Sequence, residues 1–214
     1  MTSRDNVASA TGIDGIAASM ALTRPPGPAD LGDAYSDMID AFRTFVDAVA
    51  GAAPTGPAAR RLESELRSWA GVLRELQVPD GERLWGRWLD RRGRAQGLVP
   101  VVDEEVLTPT SAEGKVVFGQ FYVGKNAVTH GGAIALLFDE LFGRMGFASD
   151  TAGRTAYLRT DYRSVTPVAT ELTLVGRLER HEGRKRYFSG VLRHGDVVCA
   201  EAECLWVELT AGQP

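Results

Sequence analysis

The run Thr129-His130-Gly131-Gly132, followed by Ala-Ile-Ala-Leu-Leu-Phe and then Asp139-Glu140, puts a histidine, two glycines and a carboxylate on one candidate helix. First-turn N–H groups of a helix lack intrahelical acceptors and sit at the positive end of its dipole. Glycines there admit a substrate carbonyl, so the Gly131 N–H can serve a developing oxyanion; the same small residues also suit a plain strand-to-helix turn. Asp139 is harder to explain as architecture, because an ionisable group inside an apolar run is costly without a partner or a task. At ~100° per residue, Gly132, Ala135, Asp139, Gly143 and Gly146 share one stripe, so the carboxylate lies on a face of small side chains that admits a second helix or a ligand, or else is a solvated edge residue.

Gly131 and Asp139 are eight residues apart, roughly 12 Å along a helix axis. One helix cannot bring both to one carbonyl, but an antiparallel copy across a two-fold axis can. The spacing therefore predicts a homodimer with two equivalent shared sites. Thr155 opens the next strand, with a hydroxyl suited to holding a water beside Asp139. Arg180, Arg184, Lys185, Arg186 and Arg193 cluster around one hairpin, as phosphate-binding cations or as a merely solvated surface.

The elements that position these groups follow from periodicity. A helix is predicted at about 130–148, with strands over Val101 to Leu107, Lys115 to Val123, Thr155 to Val165, Glu171 to Arg180, Lys185 to His194 and Val197 to Leu209. In the third strand Ala156, Leu158, Thr160 and Tyr162 alternate with Arg159, Asp161 and Arg163, the mark of a half-buried antiparallel strand. One long helix among five or six such strands predicts an α+β fold with the sheet wrapped around the helix. Upstream, Met38, Phe42, Phe45, Val46 and Val49 recur at helical spacing, as do Leu62, Leu66, Trp69, Leu73 and Leu76. The organisation read is a flexible arm over 1–32, a helical extension over 33–100, the α+β domain over 101–209 and a tail over 210–214. Residues 78–100, with Trp85 and Trp88, read as a connector that can form a short helix laid over that domain.

Composition excludes several classes. With 24 basic and 28 acidic residues the 214-residue chain carries a net charge of −4, so no basic surface recommends a nucleic-acid partner. No apolar run approaches the ~20 residues of a membrane span, nor does the N-terminus resemble a secretion signal. Cys199 and Cys204 are five apart on one strand and point to opposite faces, which predicts unbridged thiols in a cytoplasmic protein. The three histidines and two cysteines have no metal-ligand spacing, so no metal is expected.

Together, His130-Gly131-Gly132, Asp139 nine residues after the histidine and Thr155 sixteen further on resemble the hotdog-fold acyl-CoA thioesterases of the phenylacetate-pathway type. Thr129 to Met145 resembles the family's signature helix, and Tyr162 through Pro167 its Tyr-to-Pro strand. The resemblance implies a sheet curled around the helix, a dimer or dimer of dimers, and hydrolysis of acyl-CoA with no cofactor beyond the coenzyme A of the substrate. It gives Gly131 the oxyanion N–H, His130 the orientation of turn or thioester, Asp139 the activation of water or direct attack, and Thr155 the placing of that water. Gly132, Asn126, Glu140, Arg184, Lys185 and Arg186 are the candidate substrate contacts. Many members carry an Asn six residues before the histidine, where this chain has Gly124, with Asn126 offset by two. Alternatives are a non-catalytic acyl-CoA binder or sensor, or a thioesterase acting on acyl carrier protein.

Overall fold

The computed structural model describes residues 29–88 and 91–210. Helices α1 (Ala29–Gly51) and α2 (Gly56–Glu75) precede strands β1 (Val102–Leu107) and β2 (Ser111–Val117). Helix α3 (Gly131–Phe147) follows, then β3 (Gly153–Tyr162), β4 (Glu171–Glu182), β5 (Lys185–His194) and β6 (Val197–Glu208). All six strands form one antiparallel sheet in the order β1-β2-β4-β5-β6-β3. This is the α+β hotdog arrangement expected from the sequence, with α3 inside the curl of the sheet.

The curl has a visible cause. Ala112, Gly176, Gly190, Ala202 and Thr160 stand opposite one another in register across β2, β4, β5, β6 and β3, a row of small residues running across five strands. Into this trough α3 lowers Phe138, Leu141, Phe142 and Met145, all buried. A Cβ on Gly190 would come within 2.9 Å of both Phe138 and Phe142, and one on Gly176 within 2.8 Å of Met145 Sδ. Phe138, Phe142 and Phe188 then stack in sequence, with centroids 6.0 and 5.8 Å apart.

Two expectations need correction. The strand predicted over Lys115 to Val123 ends at Val117, and short turns at Gln120–Tyr122 and Lys125–Ala127 lead into α3. Asn126 sits at φ 62° in the second of them, a left-handed conformation that Asn tolerates and an extended ladder does not. In β3 the simple alternation fails: pairing with β6 slips by one residue between Thr155 and Tyr157. This bulge puts Thr155, opposite buried Trp206, on the same inward face as Leu158, Thr160 and Tyr162, in place of Ala156.

The N-terminal helices behave differently from each other. Helix α1 buries Ile39 against Trp88 and Ala95 and is fastened by Arg43, which donates to the carbonyls of Gly93 and Gln96. Helix α2 begins at Thr55, whose hydroxyl accepts from the Ala58 N–H, and buries no residue; its stripe of Leu66, Trp69, Leu73 and Leu76 stays exposed. The connector forms short turns at Asp80–Glu82 and Arg92–Ala95 rather than a full helix. Of the expected arm only residues 29–32 lie within the described residues, and they already belong to α1. Residues 211–214 of the expected tail lie outside them.

Candidate active site

His130 is the N-cap of α3: its Nδ1 accepts the Gly132 N–H at 3.0 Å, while its own N–H donates to the Tyr122 carbonyl. An imidazole nitrogen thereby does the work usually left to Ser or Asp at this position. The side chain takes up the second N–H of the helix and leaves the first, on Gly131, as the donor at the positive end of the dipole. Tyr162, at the end of β3, closes over the same turn and donates its hydroxyl to the Gly131 carbonyl at 2.8 Å. Its place in the site was not read from the sequence, although it ends the alternating face of β3 and so points toward α3.

Asp139 lies two turns along on the exposed side of α3, and Thr155 Oγ1 donates to its Oδ1 at 2.8 Å. The hydroxyl thus grips the carboxylate directly, where the sequence suggested a water between them, and the β3 bulge turns it there. Beneath them Cys204 is 1% exposed; burial, reinforced by the nearby Asp139 charge, pushes its thiol up to about 12. It is a packing residue there, not a nucleophile. Cys199 and Cys204 are both free and buried.

The other candidates separate. Glu140, one residue on, faces away and forms a two-pronged ion pair with Arg94 at 2.6 and 2.7 Å, tying α3 to the connector. Arg186 is buried, its Nε and Nη2 on Glu208 Oε1 at 2.8 and 2.7 Å, so its charge is spent inside the protein and not offered to a phosphate. Arg184 reaches the Glu208 carbonyl at 3.1 Å and, with Lys185, stands exposed at the β4–β5 turn. Thr155, Trp206 and Arg186 align across β3, β6 and β5, so this hairpin lies two strands, about 10 Å, from Thr155. Asn126 is exposed in its turn, and Gly124 lies so close to the His130 backbone that a Cβ there would meet its Cα at 3.2 Å.

A solved structure of a thioesterase superfamily protein is 33% identical to this chain, covering 86% of it and 97% of that protein, with a TM-score of 0.66. The chain belongs to the thioesterase superfamily. Acyl-coenzyme A thioesterase THEM4 of Xenopus laevis is 29% identical to this superfamily member over 134 residues, 60% of this chain and 57% of that protein. The Rattus norvegicus THEM4 is 30% identical over 93 residues, 42% of this chain and 40% of that protein. The chain spans about half the length of these curated relatives. No family model matches it. Among the described residues no helix is long and apolar enough to cross a membrane.

Proposed function

We propose that the protein hydrolyses acyl-CoA thioesters to free acid and coenzyme A at sites shared between two antiparallel copies of α3. The observation that carries this reading is the Asp139 carboxylate, held by Thr155 at 2.8 Å on the open face of a helix whose N-terminus offers the Gly131 N–H. Asp139 of one protomer takes a proton from water, and the water oxygen attacks the thioester carbonyl carbon. The tetrahedral oxyanion accepts the N–H of Gly131 from the other protomer. As it collapses the C–S bond breaks, and the proton returns from Asp139 to the leaving thiolate. The acid and the thiol are the products, and the step asks for no metal or organic cofactor.

The partner in this reading is a second copy of the chain, as a homodimer or a dimer of dimers, because ~12 Å of helix separates Asp139 from Gly131 in one protomer. Arg184 and Lys185 are the cations kept for the coenzyme phosphates, two strands from the base. Two unbridged cysteines suit a cytoplasmic setting. We divide the chain into the extension up to residue 100 and the catalytic unit over 101–209. THEM4 proteins are named for acyl-CoA hydrolysis, which supports the same substrate class here.

A second reading, binding of acyl-CoA without turnover, draws on Gly124, which leaves a family polar contact unfilled. Release of free thiol from a panel of acyl-CoA and acyl-carrier-protein thioesters decides. Turnover of the CoA series supports hydrolysis. Tight binding with no thiol released from any of them overturns it in favour of the binder, and turnover confined to the carrier-protein thioesters replaces the carrier.

A further inference from the structure

Beside the N-terminus of α3 lies an open cleft of about 250 Å³. His130, Gly132 and Leu136 line it from α3 and its cap, and Leu98, Phe121 and Val123 complete its wall. These three wall residues are 56%, 45% and 38% exposed, so large apolar side chains ring a single cavity without being packed. Exposed apolar side chains around one cleft offer an apolar group a surface to cover.

The N-terminal extension supplies one of these residues and anchors the turn that carries another. Leu98 belongs to the connector, and the Tyr122 hydroxyl donates to its carbonyl at 3.0 Å. Phe121 is held from α1: its N–H donates to Asp47 Oδ1 at 2.9 Å. A Cβ on Gly119 would collide with that same carboxylate, so a glycine is needed for Asp47 to reach the turn. Tyr122 braces the turn from below, edge-on to Phe118 and Phe121 at 5.7 and 5.2 Å. Helix α1 and the connector thus hold one side of a cavity lined by His130 and Gly132, the neighbours of the proposed oxyanion donor Gly131.

We propose that the N-terminal extension sets acyl specificity: Leu98 and Phe121 wall a pocket for an apolar acyl group whose thioester carbonyl lies at the Gly131 N–H. This rests on the hydrolytic reading above for the placing of the carbonyl. At about 30 Å³ per water-sized group, the cleft takes an acyl portion of roughly eight heavy atoms. Leu98 and Phe121 are specificity residues, and Asp47 is a positioning residue acting through Phe121.

The test uses non-hydrolysable alkyl-CoA thioethers of increasing chain length, with binding measured by calorimetry on the full chain and thiol release followed in parallel on the matching thioesters. Wild-type affinity should rise by about fourfold per methylene to around eight carbons and then level. Leu98→Trp should bring the levelling point down by two or more methylenes, about a fifteenfold loss for the eight-carbon thioether, and Leu98→Ala should move it up. Asp47→Ala, which keeps the wall but frees Phe121, should flatten the rise. An affinity that does not depend on chain length, or a length profile identical in all variants, overturns the pocket even if hydrolysis is intact. A profile that shifts as described while no thioester is turned over supports the pocket and refutes the hydrolytic reading. Variants that change only the oligomeric state would show that a second copy covers these residues instead.

Discussion

Replacing Gly131 by Pro and, separately, by Ala isolates the oxyanion donor. Gly131 is the first residue of α3, where proline is well tolerated. His130 before it has φ −63° and ψ 130°, the extended conformation that a residue preceding proline prefers. Both substitutions add a Cβ that meets the Tyr162 ring and hydroxyl at 3.2 Å. Tyr162 is 55% exposed and can yield. The shared cost is then at most its hydrogen bond to the Gly131 carbonyl, about 1 kcal/mol or a fivefold effect. Only proline removes the N–H, and loss of one oxyanion donor costs about 2.7–4 kcal/mol, or 10²–10³ in kcat. Thiol release, with kcat and KM resolved and thermal melts confirming the fold, should show Gly131→Ala within about tenfold of wild type and Gly131→Pro at least a hundredfold below it, about the lower end of that range. Equal kcat values for the two variants would refute the assignment of the donor.

Three further outcomes follow from the packing. Thr155→Val keeps the shape but removes the grip on Asp139 and should lower kcat by about tenfold or more, as befits a bond to a charged group, with Thr155→Ser retaining most of the rate; equal steady-state kinetics in Val and wild type would count against the pairing. Gly190→Ala drives a methyl into Phe138 and Phe142 and should cost about 1–3 kcal/mol, read as a fall of several degrees in Tm. Arg186→Ala leaves the Glu208 carboxylate, 18% exposed, without its main partner and should cost about 3 kcal/mol by urea titration, most of it recovered when Glu208→Leu is added.

The chemistry-bearing residues were legible because they act within a turn or two of one helix. Spacing alone places His130 at the helix start and Asp139 on its small-residue stripe. Strand alternation gave the sheet, and Lys185–His194 appears with the bounds expected. What stayed hidden depends on contacts between distant segments or on single-residue irregularities. The β3 bulge that turns Thr155 inward leaves no mark in an alternating sequence. Glu140 reads as a substrate contact until Arg94, 46 residues away, is seen to hold it. Arg186 reads as a phosphate ligand until its partner Glu208, 22 residues on, is found. The strand expected as far as Val123 stops at Val117 because Gln120–Tyr122 forms a tight turn that apolar spacing does not reveal. Tyr162 was visible as part of a motif, but its bond to Gly131 spans 31 residues and required the fold.

The sharing of each site between two copies is tested most directly by complementation. Asp139→Asn and Gly131→Pro are each made inactive and then co-expressed in one cell with distinct tags. In a mixed dimer one site combines the intact Gly131 of the first chain with the intact Asp139 of the second, and the other site is doubly defective. Random pairing makes half the dimers mixed, so the pool should regain about a quarter of wild-type thiol release, concentrated in the doubly tagged fraction. A doubly tagged fraction no more active than either parent would contradict a site built from two copies of α3.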